Sequence, residues 1–173
     1  MGLRFLLEIL RRIDMSDRAA PWQRGEPNPV ETKAVPTATV IERGDLIATK
    51  AASDPGDPYS AADQAWDTDL ATTQTAFALR FLGVALDRSR SGDVDPIRAN
   101  TSGVHKFSCA SAAWELGALV GPAKQSGNLL ENQKVASVAT EALAIGRIAK
   151  RYGSAVTEVE VEVFSRLMKG PTA

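Results

Sequence analysis

Residues Glu158 to Val163 alternate acid and valine without interruption, with Glu158, Glu160 and Glu162 on one side and Val159, Val161 and Val163 on the other. Successive side chains of an extended chain point to opposite faces. The only economical home for this segment is therefore a β-strand with one buried and one solvated face. A helix would scatter the valines around its circumference. The fold must contain at least one sheet that covers that valine face.

The same signal recurs along much of the chain. Thr39, Val40 and Ile41 open a strand-like stretch over residues 38–50, which turns at Gly44-Asp45 and continues through Leu46, Ile47 and Thr49. Residues 51–74 then read as a long loop, with dense turn chemistry at Asp54-Pro55-Gly56-Asp57-Pro58. From residue 75, Phe77, Leu79 and Phe81 alternate with Ala78 and Arg80 as a strand would. Val84 and Leu86 follow Gly83 with the apolar face switched, which predicts a bulge or bend there. Further strands are predicted at Ile97–Ala99, Val104–Cys109, Leu116–Val120, Lys134–Val138, Ala144–Ala149 and Val156–Leu167, with a tight loop or one helical turn at Ala139–Leu143. The expected fold is mainly β: a small, largely antiparallel barrel over residues 38–168.

One pattern occurs twice. Glu42-Arg43-Gly44-Asp45-Leu46-Ile47 and Glu115-Leu116-Gly117-Ala118-Leu119-Val120 share acid, any residue, glycine, any residue, leucine and a β-branched residue. Each reads as a turn feeding a strand, as suits a small barrel whose strands start from similar turns.

The N-terminus is different. Leu3, Phe5, Leu6, Leu7, Ile9, Leu10 and Ile13 fill one wide face at helical spacing, and Arg4, Glu8, Arg11 and Arg12 fill the other. Glu8 precedes Arg12 by one helical turn, the favoured order for an ion pair. Residues 1–15 are therefore expected to hold an amphipathic docking helix ~20 Å long. So short a helix is marginal alone in water and needs a surface to cover. Residues 16–37, punctuated by Pro21, Pro27, Pro29 and Pro36, read as a proline-rich arm or linker with a reach of ~60 Å. A helix that merely capped the barrel would need no such tether. A membrane anchor would favour a basic linker, whereas this one carries Glu26 and Glu31. Docking onto another protein is the expectation, with the seven apolar residues and Trp22 of the arm as the contact set.

The chain offers little reactive chemistry. With one cysteine, Cys109, it forms no intrachain disulfide, and with one histidine, His105, it has one candidate imidazole base. On a strand these two share a face but stand ~13 Å apart. The expectation is that both are structural. CxxC, HxH, HExxH and the Lys–Ser/Thr ending of a phosphate loop do not occur. Asp54, Asp57, Asp63, Asp67 and Asp69 lack the glycine and terminal glutamate order of a calcium loop, and read as a solvated acidic segment. Arg43-Gly44-Asp45, an adhesion-type tripeptide, falls where a turn is expected. Arg88, Arg90 and Arg98 read as a solvated hairpin tip. A net charge of −1 gives no field that would draw nucleic acid. No run approaches the length of a membrane-spanning helix. Cofactors and metals are not expected.

The stretch Phe81-Leu82-Gly83-Val84-Ala85-Leu86-Asp87, then Gly92-Asp93 through Ile97-Arg98, then Gly103-Val104 through Phe107, resembles the capsid cement, or decoration, proteins of tailed bacteriophages. Gly117-Ala118-Leu119-Val120 resembles that family's Gly-x-Leu-Val turn and strand. Ala144-Ile145-Gly146-Arg147-Ile148 and the Val159–Val163 strand resemble its closing part. The resemblance implies a β-barrel or β-tulip subunit on the outer capsid surface of a virion, made in the host cytoplasm. It also implies homotrimers bound to the major capsid protein through an extended N-terminal arm, stabilising the shell and catalysing nothing. The N-terminal helix and the 51–74 loop depart from the family's common form. A tail or adhesion module of a virion, and a small β-barrel enzyme using Glu158, Glu160 or Glu162, are the alternative readings.

Overall fold

The computed structural model describes residues 22–24, 29–49, 58–63, 69–125 and 129–169. Among them are the strands β1 (Trp22–Arg24), β2 (Pro29–Ala34), β3 (Leu46–Thr49), β4 (Pro58–Ser60), β5 (Phe81–Ala85), β6 (Pro96–Asn100), β7 (Ser102–Trp114), β8 (Leu119–Lys124), β9 (Leu130–Ser137), β10 (Gly146–Ile148) and β11 (Tyr152–Phe164). Helix α1 spans Leu70–Arg80 and the short helix α2 spans Arg166–Lys169. Turns of 3-10 helix lie at Ala61–Asp63 and Glu141–Leu143. The protein is mainly β, as its alternating pattern predicts.

Strands β7, β11, β10, β8 and β9 pair in that order, and a parallel contact of β9 with β7 closes them into a barrel. All the other pairings are antiparallel. Strands β2, β6, β5, β3 and β4 form a second sheet. It curls so that β2 approaches β4, without a ladder between them among the described residues.

The two sheets are built to one plan. Each takes strands a, b, c, d and e of the chain and orders them a-e-d-b-c, so that β2, β3, β4, β5 and β6 correspond to β7, β8, β9, β10 and β11. The correspondence holds residue by residue. Leu46 and Ile47 pair with Val84 and Gly83, as Leu119 and Val120 pair with Arg147 and Gly146. Ile47, Ala48 and Thr49 pair with Ser60, Tyr59 and Pro58, as Val120, Gly121 and Pro122 pair with Ser137, Ala136 and Val135. Pro29, Val30 and Glu31 face Asn100, Ala99 and Arg98, as Val104, His105 and Lys106 face Glu162, Val161 and Glu160. The sequence echo marks this repeat. In both turns the fourth residue's N–H donates to the first residue's carbonyl, Asp45 to Glu42 at 3.1 Å and Ala118 to Glu115 at 3.2 Å. Gly44 (φ 88°) and Gly117 (φ 80°) occupy the left-handed position such turns require. They donate to Ala85 and Ile148, and these strand residues donate back to Asp45 and Ala118.

The cores correspond as well. Val35, Ile41, Ile47, Leu82, Ala85, Ile97 and Ala99, with Val30 against them, fill the first unit. The counterparts of Ile41, Ile47, Leu82, Ala85, Ile97 and Ala99 are Trp114, Val120, Ile145, Ile148, Val159 and Val161, all in the main core. That core also takes Leu46, Phe81 and Val84 from the first sheet and Phe77 and Ala78 from α1. The first sheet is therefore covered on both faces, which is why every residue of β5 is buried.

Several local expectations are corrected. Residues 51–74 are not one long loop, since β4 and a 3-10 turn lie within them and α1 begins at Leu70. The strand expected from residue 75 is the second half of α1, and β5 begins only at Phe81. Asp69 caps this helix, its carboxylate accepting from the Thr72 N–H at 2.8 Å. The Thr39–Ile41 strand is reduced to a bridge between Ile41 and Ser89. Strand β8 starts at Leu119 because Leu116 and Gly117 belong to the turn. The bulge expected at Gly83 is present, where the β3–β5 register slips between Ile47 and Ala48. The expected single turn at Ala139–Leu143 is the 3-10 turn at Glu141–Leu143. The amphipathic segment at 1–15 lies outside the described residues.

Candidate partner-binding surface

Part of the predicted arm is sheet. β2 pairs with β6 and β1 with β7, and β6 runs into β7 through Thr101. The described parts of the arm thus pair with both units, residues 22–24 with the second and 29–34 with the first. Its sequence suits an edge. Pro29, Glu31 and Lys33 are exposed, while Val30 packs against the first core. Proline and charge at such positions discourage further strand pairing. The Thr32 hydroxyl accepts from the Ile97 N–H at 3.1 Å and helps fix the register.

Of the predicted contact residues, Leu3, Phe5, Leu6, Leu7, Ile9, Leu10 and Ile13 lie outside the described residues. The backbone of Trp22 is placed on the outer edge of β7, opposite His105.

The structure adds exposed apolar residues that periodicity did not single out. Leu116, expected in a strand over Leu116–Val120, instead lies at the tip of the second turn and is 66% exposed. Leu79 on α1 and Leu167 and Met168 on α2 are also exposed, on two helices that pack together. An open groove beside Leu116 is lined by Val104, Arg147, Ile148 and Glu162.

The residues weighed for chemistry are built into the frame. His105 is fully buried, and it stands in the second barrel where Val30 stands in the first unit. Cys109 is buried two positions beyond Phe107 on the same inward face, with its Sγ 3.5 Å from the Val156 carbonyl. Burial pushes its thiol pKa up, against smaller lowering contributions from Trp114 and Lys134. A raised pKa leaves it protonated and unreactive.

The adhesion-type tripeptide turns its acid inward. Asp45 is buried, and its carboxylate accepts from the Glu42 N–H at 2.9 Å and from Gln133 Nε2 at 2.9 Å. Gln133 Nε2 also reaches the Arg43 carbonyl at 3.1 Å, so β9 of the second unit covers the first unit's turn. Two of the three hairpin arginines are paired, Arg88 with Glu42 and Arg98 with Asp87 through two contacts of 2.9 Å, while Arg90 is exposed as expected of a hairpin tip. The Arg98 guanidinium holds the Asp87 carboxyl below the usual aspartate value.

On β11, Glu158 pairs with Lys106, and Tyr152 Oη accepts the Glu160 N–H at 2.9 Å. Lys150 stands 5.6 Å over the Tyr152 ring. These residues line a shallow polar groove on the barrel's outer face. Among the described residues, no group of three or more His, Cys, Asp or Glu side chains is placed to hold a metal ion. No helix among them is long and apolar enough to cross a membrane.

No protein-family model matches the sequence, and no curated protein matches it significantly.

Proposed function

We propose that this chain is a capsid decoration protein, binding the outer surface of a phage shell and stabilising it. The reading rests first on the resemblance of residues 81–107, 117–120 and 144–163 to that family. The structural observation that supports it best is the course of the arm. Residues 22–24 pair with the second unit and residues 29–34 with the first, so a load carried along the arm reaches both sheets. That suits a protein whose task is to hold subunits together under outward pressure. The burial of His105, and of Cys109 within the main apolar core, fits a role without nucleophilic catalysis.

In this reading residues 1–15 dock into a groove of the major capsid protein through Leu3, Phe5, Leu6, Leu7, Ile9, Leu10 and Ile13. Full burial of these side chains is worth ~10–20 kcal/mol gross. Much of that is offset by ordering the segment and by lost freedom. Each site is then individually modest, and a shell gains stability from many of them. The mature protein forms homotrimers at junctions between capsomers and binds no cofactor and no nucleic acid.

The test is deletion of residues 1–15. The truncated protein keeps its β-rich far-ultraviolet spectrum and loses affinity for undecorated particles. Full occupancy of particles by the truncated chain would overturn the anchoring role. A tail or adhesion module is less well supported, because the buried Asp45 withdraws the tripeptide's acid from any receptor.

A further inference from the structure

Strand β7 gives one edge to β11 and divides the other between two strands. β9 meets that second edge at Ser108 and Cys109, and β1 meets it at Val104 and His105. β9 leaves the edge where the first unit holds it: the Ala62 N–H donates to Asn132 Oδ1 at 2.6 Å, and Gln133 Nε2 donates to Asp45 at 2.9 Å. The arm strand therefore completes a stretch of barrel wall that β9 does not pair with. It is a short closure of three residues, with a register irregularity between Trp22 and Arg24.

The chain's one histidine stands at this closure. His105 is fully buried and lies opposite Val161, a residue of the main core, across the β7–β11 ladder. Its ring centroid is 6.4 Å from that of Phe107. Phe107 and Cys109 share its face of β7, and Val159, Val161 and Val163 line the facing strand. Among these residues the Cys109 thiol is the one titratable group, four positions along. The charged neighbours sit elsewhere. Lys106, Glu160 and Glu162 alternate onto the outer side, Lys134 of β9 is opposite Ser108, and Arg24 of β1 is opposite Val104. The Asp45 carboxylate is tied to the Glu42 N–H and Gln133 at the first turn. In the first unit the matching place holds Val30. The frame thus accepts an aliphatic side chain there, and packing alone does not call for an imidazole.

We propose that His105 and β1 form an acid-sensitive latch, in which protonation of the imidazole releases the arm strand from the edge of β7. An imidazole open to water takes its proton near pH ~6.5. Behind the closed wall the same proton would place a charge beside Phe107 and Val161, so the opened form binds it first. The closure is therefore complete above about pH 6.5 and weakens as acid is added. One proton taken up on opening weakens it by about tenfold for each pH unit below that value. β1 is the element that yields, because it holds β7 through three residues, whereas β11 is a strand of 13 residues paired along its length. The arm strand is thus ordered against the barrel at neutral pH and let go in acid. The latch stands on the barrel's geometry and not on the capsid reading.

Amide hydrogen exchange of the full chain between about pH 5 and pH 8 tests it, read as protection factors so that the intrinsic pH dependence of exchange is removed. Protection at residues 22–24 is expected to be level above about pH 6.5 and to fall about tenfold per pH unit below it. Protection at residues 159–163 is expected to hold over the same range. His105→Val, which carries the first unit's side chain at this place, is expected to keep residues 22–24 protected throughout. His105→Gln, whose polar side chain takes no proton, is expected to do the same, and either variant that folds decides the question. Protection at residues 22–24 that ignores pH in the wild type, or that falls equally in the variants, would overturn the proposal. Loss of protection at residues 22–24 and 159–163 together would also overturn it, because the latch must yield before the wall it closes.

Discussion

Gly146 occupies in the second unit the place that Gly83 occupies in the first, and in both a crossing strand takes the space a side chain would need. A Cβ on Gly83 would lie 2.0 Å from the Asn100 carbonyl oxygen, and one on Gly146 would lie 2.5 Å from the Glu162 carbonyl oxygen. Asn100 and Glu162 are themselves counterparts, because Leu86 donates to Arg98 and Ala149 donates to Glu160 at the matching step. The close approach lets each unit bend where its fourth strand meets its fifth.

Gly83→Ala and Gly146→Ala are therefore each expected to lower stability by ~2 kcal/mol or more, since backbone must move to admit the methyl. Gly153→Ala is the control, with nothing within 4 Å of the added atom. Urea unfolding of the three variants checks this. Equal midpoints for all three would contradict the close packing.

Asp45 joins the units, so its loss should cost more than its size implies. Asp45→Ala removes the acceptor of the Glu42 N–H and one of the two acceptors of Gln133 Nε2, which keeps the Arg43 carbonyl. The expected loss is ~2 kcal/mol, because desolvated donors are left unsatisfied. Removing the exposed Arg151–Glu115 pair at the second unit's turn through Arg151→Ala should cost less than ~1 kcal/mol. The comparison is read from urea midpoints, and a larger loss for Arg151→Ala would contradict it.

Cys109 should behave as a core residue. Burial raises its thiol pKa, so native protein is expected to resist a thiol reagent at neutral pH and to react fully once unfolded in urea. Stoichiometric labelling of native protein on mixing would contradict its burial.

Asp87 gives a pH dependence with a definite sign. Its hydrogen bond with Arg98 depresses the folded-state pKa below the ordinary value of 3.8. The unfolded chain therefore binds the proton first as acid is added. The contribution is complete above the ordinary value and is lost as pH falls through the depressed one. Solvent screening keeps it small. Asp87→Asn should lower the neutral plateau by a small amount and flatten the acid limb by the same amount, so that the two stability-against-pH curves converge at low pH. An unchanged acid limb would remove Asp87 from the account.

Much of this organisation was legible from residue pattern. The valine–glutamate alternation of β11 placed its buried face, with Val159, Val161 and Val163 all at the core. The paired turn patterns at Glu42 and Glu115 marked corresponding corners of the two units. Helix α1 was not legible because two of its buried positions are Thr73 and Gln74, whose polarity hides the helical stripe. Phe77, Leu79 and Phe81 meanwhile imitate strand alternation across a helix end. Asp69 followed by Thr72 was the available cap signal. β7 was read short because Ala110, Ser111 and Ala113 are small and exposed, and the register shift beside Ala112 breaks the alternation. The apolar tip at Leu116 carries no periodic signal at all, and its exposure follows only from the folded turn.

The proposed function makes this chain a lattice component of a shell. The most direct measurement is its copy number in purified particles, relative to the major shell protein, by quantitative mass spectrometry. A lattice component is expected in fixed proportion to the shell protein, with many copies per particle. A few copies, as a tail or portal component would give, or none, would contradict it.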